Sequence, residues 1–218
     1  MKKNIAVVLS GCGHKDGAEI TEAVSALIAL SEAGVTYQVF APQQDFQVRD
    51  PITAQESAEK RSVLKEAARI SRGNIKPLNE LQSKNFDGIV FPGGMGAALN
   101  LSSWGREGAK CKVEPDVERA IKEFYAEQKP IAAICIAPAL IAKVLGPKNV
   151  TVTIGNDSNT AAEIEKAGAI HEVCAVDDFV TDRDHRVITT PAYMYADAQP
   201  FEVFNGIRKA MQEFVEMA

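Results

Sequence analysis

Short runs of apolar, often β-branched residues alternate along this chain with longer stretches whose apolar residues recur every three or four positions. The runs Asn4–Leu9, Val35–Ala41, Phe86–Phe91, Ile131–Cys135 and Val150–Ile154 are each too short and too continuously apolar for a surface helix. They predict buried parallel strands. Helical spacing predicts helices over Ala18–Ala33, with Ile20, Val24, Leu27, Ile28 and Leu30 as the apolar side, and over Glu56–Arg72, Val113–Gln128, Ala137–Leu145 and Ala198–Met217. Phe179–Thr181 and Val187–Thr190 flank the polar turn Asp182-Arg183-Asp184-His185, which predicts a hairpin. Strand and helix alternate nearly throughout, so the expected fold is α/β, a doubly wound parallel sheet with helices on both faces. No repeat or linker divides residues 1–218, which read as one domain. The polar stretch Gln43–Ala54 is the best place for an insertion.

Composition narrows the class of partner. With 218 residues, 46% of them hydrophobic, the chain can bury a large core, and a net charge of -5 argues against nucleic acid or an anionic membrane. The first apolar run is far shorter than the roughly 20 residues of a membrane span, so the expected compartment is cytoplasmic. The four cysteines, Cys12, Cys111, Cys135 and Cys174, form no C-x-x-C pair and are expected to be free thiols. No group of His, Cys and carboxylates has metal-ligand spacing, and no metal or cofactor is expected.

Ligands of such folds bind beyond the carboxyl ends of the strands, so the residues following each strand are informative. Ser10-Gly11-Cys12-Gly13-His14 follows the first, with Glu19 opening the next helix. Pro92-Gly93-Gly94-Met95-Gly96 follows the third, Cys135-Ile136 the fourth, Gly155-Asn156-Asp157 the fifth, and Pro191-Ala192-Tyr193 the run ending Thr189-Thr190. The Gly-Gly loop lacks both the dinucleotide fingerprint and the P-loop lysine. It is either an ordinary turn or a place where backbone amides approach a reacting oxygen. Cys135 is either a small core residue or a nucleophile at a strand-to-helix turn, where the positive end of the helix would lower its pKa.

The segments FPGGMGAALNLS (Phe91–Ser102) and AAICIAPALIA (Ala132–Ala142), together with Glu19, resemble the DJ/PfpI family of class I glutamine-amidotransferase-like proteins. The segments VVLSGCGHKDGAEITEAV and VITTPAYM are similar to its ElbB branch, named for enhanced lycopene biosynthesis. The resemblance spans the chain. It implies a flavodoxin-like fold with a nucleophile elbow, Cys135 as nucleophile, Glu19 as its acidic partner, and amides of Gly94, Met95 and Ile136 facing the site. It implies a cofactor-independent glyoxalase-like lyase acting on small dicarbonyls, glyoxal to glycolate, in a homodimer. Many relatives carry a His after the cysteine or after the fifth strand. Here those places hold Ile136 and Gly155-Asn156-Asp157. His14, Cys12, Asp157 and Thr190 are candidate lining residues, and Thr189 and Tyr193 candidate wall. The missing His predicts slow turnover and weakens a glutaminase reading, since amide chemistry needs a base and a leaving-group acid. A redox sensor, or a binding protein linked to isoprenoid synthesis, is the non-catalytic alternative.

Overall fold

The computed structural model describes residues 2–218. Strand β1 (Asn4–Val8) leads through a long loop into α1 (Ile20–Glu32) and β2 (Thr36–Ala41). A hairpin of β3 (Asp45–Arg49) and β4 (Glu56–Ser62) precedes α2 (Val63–Ile70) and β5 (Ile75–Pro77). Then come β6 (Gly88–Phe91), the short helices α3 (Met95–Leu99) and α4 (Trp104–Glu107), α5 (Pro115–Ala126), β7 (Ile131–Ile134) and α6 (Pro138–Leu145). The chain ends with β8 (Thr151–Val152), α7 (Ser158–Lys166), β9 (Ile170–His171), β10 (Val180–Asp182), β11 (Val187–Thr190) and α8 (Pro200–Met217).

The main sheet has the order β10-β11-β7-β6-β1-β2-β5. Every pairing in it is parallel except β10 with β11. Strand β1 shows why its core is two-sided. Ile5 and Val7 pack into one apolar cluster with Leu30 and Phe214, while Ala6 and Val8 pack into the other with Phe124 and Leu140. A strand covered on both faces has no polar face to show, hence its continuous apolar run. This is the flavodoxin-like, class I amidotransferase-like α/β arrangement.

Three expectations are corrected. Helix α2 starts at Val63, not Glu56. Ser62 caps it, its hydroxyl accepting from Lys65 N, and Glu56–Ser62 instead pairs antiparallel with Asp45–Arg49. The Asp50 carboxylate closes the intervening turn by accepting from the amides of Ile52 and Thr53, a local bond that favours a turn over a helix. Second, the run Val150–Ile154 is not a strand of the main sheet. Its donors go to side chains, Thr151 N to Asp182 Oδ2 at 2.7 Å and Thr153 N to Thr189 Oγ1 at 2.9 Å, and only Thr151–Val152 pairs, with β9. Third, the buried face of α1 is Glu22, Ala23, Ser25, Ala26, Ala29 and Leu30, while Ile20, Val24 and Ile28 are exposed. Small residues face inward there because α1 lies closely against α8.

The backbone amides of Met95 and Gly96 hold the long β1–α1 loop through His14 O and Gly17 O, and one side-chain amide holds it at two further points. Asn100 Nδ2, just past α3, donates to Ser10 O at 2.9 Å and Asp16 O at 2.8 Å. Removing it leaves two carbonyls without that donor, a loss of about 1–3 kcal/mol. Asn100→Ala is therefore expected to lower stability by that amount in urea denaturation while leaving the fold intact by circular dichroism.

Candidate functional site

The carboxyl ends of β11, β7, β6 and β1, four neighbours in the sheet, converge on one cavity of about 380 Å³. Cys135 sits in its floor. It follows β7 directly, and its φ is 62°, a left-handed value that a non-glycine residue adopts only when its surroundings force it. The forcing contacts are visible. Cys135 N donates to Thr190 O at 2.9 Å, and Ala137 N turns back to Ile134 O at 3.0 Å. The strained turn lifts the side chain out of the strand line and aims it across the sheet's edge, the geometry of a nucleophile elbow.

The carboxyl that meets the thiol belongs to Glu22, one turn further along α1 than Glu19. Glu22 is wholly buried. Its Oε1 accepts from Tyr193 N at 3.2 Å, and its buried Oε2 has no hydrogen-bond partner. The group it faces is Cys135. Gly93 makes this approach possible, because a Cβ on it would run into the Cys135 Cβ and stand 2.6 Å from Glu22 Oε2. Glu19 has a different task. It caps α1, its Oε2 accepting from Glu22 N at 2.7 Å, and it lines the cavity without being the thiol's partner.

Charge in this pair is held back by burial. Desolvation, then the nearby Glu19 carboxylate, raise the Glu22 pKa from an ordinary 4.5 to about 8. Desolvation, then Glu22, push the Cys135 thiol well above the usual thiol range, against the pull of the Gly94 and Ile136 amides. The expectation that the elbow makes a resting thiolate is therefore corrected. The helix behind it does begin nearby, at Pro138, but an enclosed sulfur beside a carboxyl outweighs that partial charge.

The remaining predicted residues divide. Gly94 and Ile136 line the cavity and point their amides toward the sulfur. Gly94, with φ 91° and Gly17 and Glu19 backbone packed where a Cβ would be, admits no side chain. Met95 lines the cavity, but its amide is committed to His14 O at 2.9 Å, so it is not free for an oxyanion. His14 reaches the cavity, the one histidine among the described residues that does. Cys12 lies instead by Glu66, Arg69 and Asp16, and burial foremost raises its thiol pKa. Asp157 caps α7, accepting from Asn159 N and Thr160 N, and Thr160 rather than Asp157 lines the cavity. Thr190 contributes its carbonyl to Cys135, while its hydroxyl donates to Asp178 O at 2.8 Å. Sequence reasoning passed over Glu22, Lys15, Trp104 and Thr160, and read Gly93 only as part of the Gly-Gly loop. For Glu22 a signal existed, an acidic residue in register with the small residues of the inward face. Among the described residues there is no cluster of three or more metal-ligating side chains, and no helix is long and apolar enough to cross a membrane.

A parallel α/β sheet with a strained cysteine at the end of a central strand defines an amidotransferase-like protein with a nucleophile elbow. The chain belongs to the DJ-1/PfpI family, whose signature matches residues 7–196. Over 98% of its length it is 42% identical to the human "Glutamine amidotransferase-like class 1 domain-containing protein 3, mitochondrial", covering 82% of that protein. It is 40% identical to the rat "ES1 protein homolog, mitochondrial", with 99% of this chain and 84% of the relative aligned. Among solved structures, an isoprenoid biosynthesis protein with an amidotransferase-like domain from Ehrlichia chaffeensis superimposes with a TM-score of 0.93 at 36% identity, covering 99% of each chain.

Two outcomes follow from the buried pair. A protonated Glu22 is favoured by folding, so its contribution to stability is complete below about pH 4.5 and is lost as pH rises through about 8. Within that window the wild type weakens by roughly 1.4 kcal/mol per pH unit relative to a variant with no ionisable group there. The melting temperature of Glu22→Gln minus that of wild type should widen steadily from pH 5 to pH 8; a gap that does not change with pH would contradict the assignment. Glu22→Gln also removes a carboxyl that raises the thiol pKa, so the pH profile for iodoacetamide labelling of Cys135, followed by mass spectrometry, should move to lower pH.

Proposed function

We propose that the chain is a cofactor-independent, glyoxalase-like enzyme that converts small dicarbonyls to hydroxy acids, glyoxal to glycolate in the simplest case. The observation that carries this reading is the Cys135–Glu22 pair, a nucleophile and a carboxyl whose pKa of about 8 lets it both give and take a proton near neutrality. The Cys135 sulfur adds to the aldehyde carbon. The thiol proton reaches the carbonyl oxygen by way of Glu22, one carboxyl oxygen accepting while the other gives. The amides of Gly94 and Ile136 stabilise the oxygen as charge develops. The product is a hemithioacetal.

Glu22 in its ionised fraction then takes the proton from the sulfur-bearing carbon and gives it to the neighbouring carbonyl oxygen, forming an enediol, and next carries the proton of the first hydroxyl to that neighbouring carbon. The result is a thioester of glycolate. Water cleaves it, restoring the thiol. The net change is glyoxal plus water to glycolate, with no external oxidant or reductant. Because one carboxyl serves as both acid and base, turnover should be slow; a separate general acid-base group is typically worth about 10²–10⁴-fold.

The test is purified protein with glyoxal, following glycolate across pH. Turnover should rise along a limb with an apparent pKa near 8, vanish in Cys135→Ala, and fall at least about 100-fold in Glu22→Gln. Ammonia released from glutamine would point to the glutaminase reading instead. No glycolate above the Cys135→Ala background would leave a redox-sensing or binding role.

A further inference from the structure

The cavity over Cys135 is much larger than glyoxal, and it is built for something less polar. Its volume of about 380 Å³ falls in the range of sites that enclose whole metabolites. Glyoxal, two carbons and two oxygens, occupies only the floor beside the sulfur. Above that floor the walls are Met95, Ala98, Trp104, Ile136, Tyr193 and Met194. The polar side chains of the lining are His14, Lys15, Glu19 and Thr160, set among these apolar walls. Trp104 is held by the fold, being 7% exposed and packed into the apolar cluster that contains Leu101 and Val113. Met95 is 37% exposed and unbranched, a side chain that adapts to what lies against it.

We infer that the substrate is a 2-oxoaldehyde carrying an apolar tail, with the aldehyde at Cys135 and the tail laid along Trp104, Met95 and Met194. This inference rests on the glyoxalase-like reading and names the substrate class of that same site. The chemistry keeps its balance for any tail R. The thiol adds to the aldehyde carbon of R–CO–CHO, the proton on that carbon moves to the neighbouring ketone oxygen and the proton of the new hydroxyl to the ketone carbon, and water cleaves the thioester to give R–CHOH–COOH. The tail takes no part in bond making. It contributes by leaving water for the apolar wall, and each methylene so buried multiplies kcat/KM by about fourfold. Remote binding of this kind also holds the reacting carbons still over a slow acid-base pair.

The experiment measures kcat/KM for glyoxal, methylglyoxal, straight-chain alkylglyoxals of increasing length and phenylglyoxal, on wild type, Met95→Ser and Trp104→Ala. Specificity is expected to climb by about fourfold per methylene until the cavity is filled, with phenylglyoxal well above methylglyoxal. Met95→Ser, at a partly exposed position where folding is not at stake, should reduce the ratio of long-chain to glyoxal specificity at least about tenfold, as should Trp104→Ala if it folds. Turnover of glyoxal with a flat dependence on tail length would overturn the inference and leave the glyoxalase-like reading standing. No turnover of any 2-oxoaldehyde would overturn that reading itself.

Discussion

A carboxyl group buried against a thiol is the constraint around which the upper edge of this fold is arranged. Glu22 and Cys135 come from elements far apart in sequence, α1 and the turn after β7, and each is expensive to enclose alone. Three features bring them together. The Cys135 backbone is bent into a left-handed conformation by bonds to Thr190 and by the turn closing on Ile134. Gly93 has no side chain to stand between them. The amide of Tyr193, just after β11, supplies the hydrogen bond that one carboxyl oxygen requires. Strain and desolvation are thus concentrated at one point and supported by three adjacent strands. Such concentration is characteristic of sites that do chemistry rather than of an ordinary core.

The same constraint explains why α1 turns an unusual side inward. Its small residues Ala23, Ala26 and Ala29 let it approach α8 and carry Glu22 down to the sulfur, while Ile20, Val24 and Ile28 face out. Helical periodicity weighted by side-chain size therefore selects the wrong face. Bulk marks the interior only where neighbouring elements stand far enough apart to accept it. The Glu19 assignment has a separate source: the resemblance maps the family's first-helix glutamate onto the residue that opens the helix, whereas the carboxyl that reaches the sulfur stands three residues further on, at Glu22.

Much else was legible. The apolar runs at Asn4–Val8, Gly88–Phe91 and Ile131–Ile134 mark central strands because residues covered on both sides have no use for polar side chains. Cys135 and the Gly-Gly loop stood out because each interrupts such a run with a residue the strand itself does not need. Short pieces held by side chains were harder to read. Strand β5 has three residues and ends in Pro77, tolerable only at a sheet edge. The segment around Thr151 has the composition of a strand, yet Asp182 and Thr189 take its donors in place of a neighbour in the main sheet. The Met95 amide illustrates a finer limit: no residue type reveals that its hydrogen bond goes to His14.

The account stands on Glu22 holding a proton at neutral pH beside Cys135, and that can be observed without any substrate. Carboxyl carbon NMR of the protein labelled at glutamate side chains, with Glu22→Gln used to assign the resonance, would follow the titration directly. A Glu22 signal that stays in the protonated position at pH 6 and moves only near pH 8 is the expected result. A signal already ionised at pH 6, with a midpoint near the ordinary carboxylate value of about 4.3, would contradict the account.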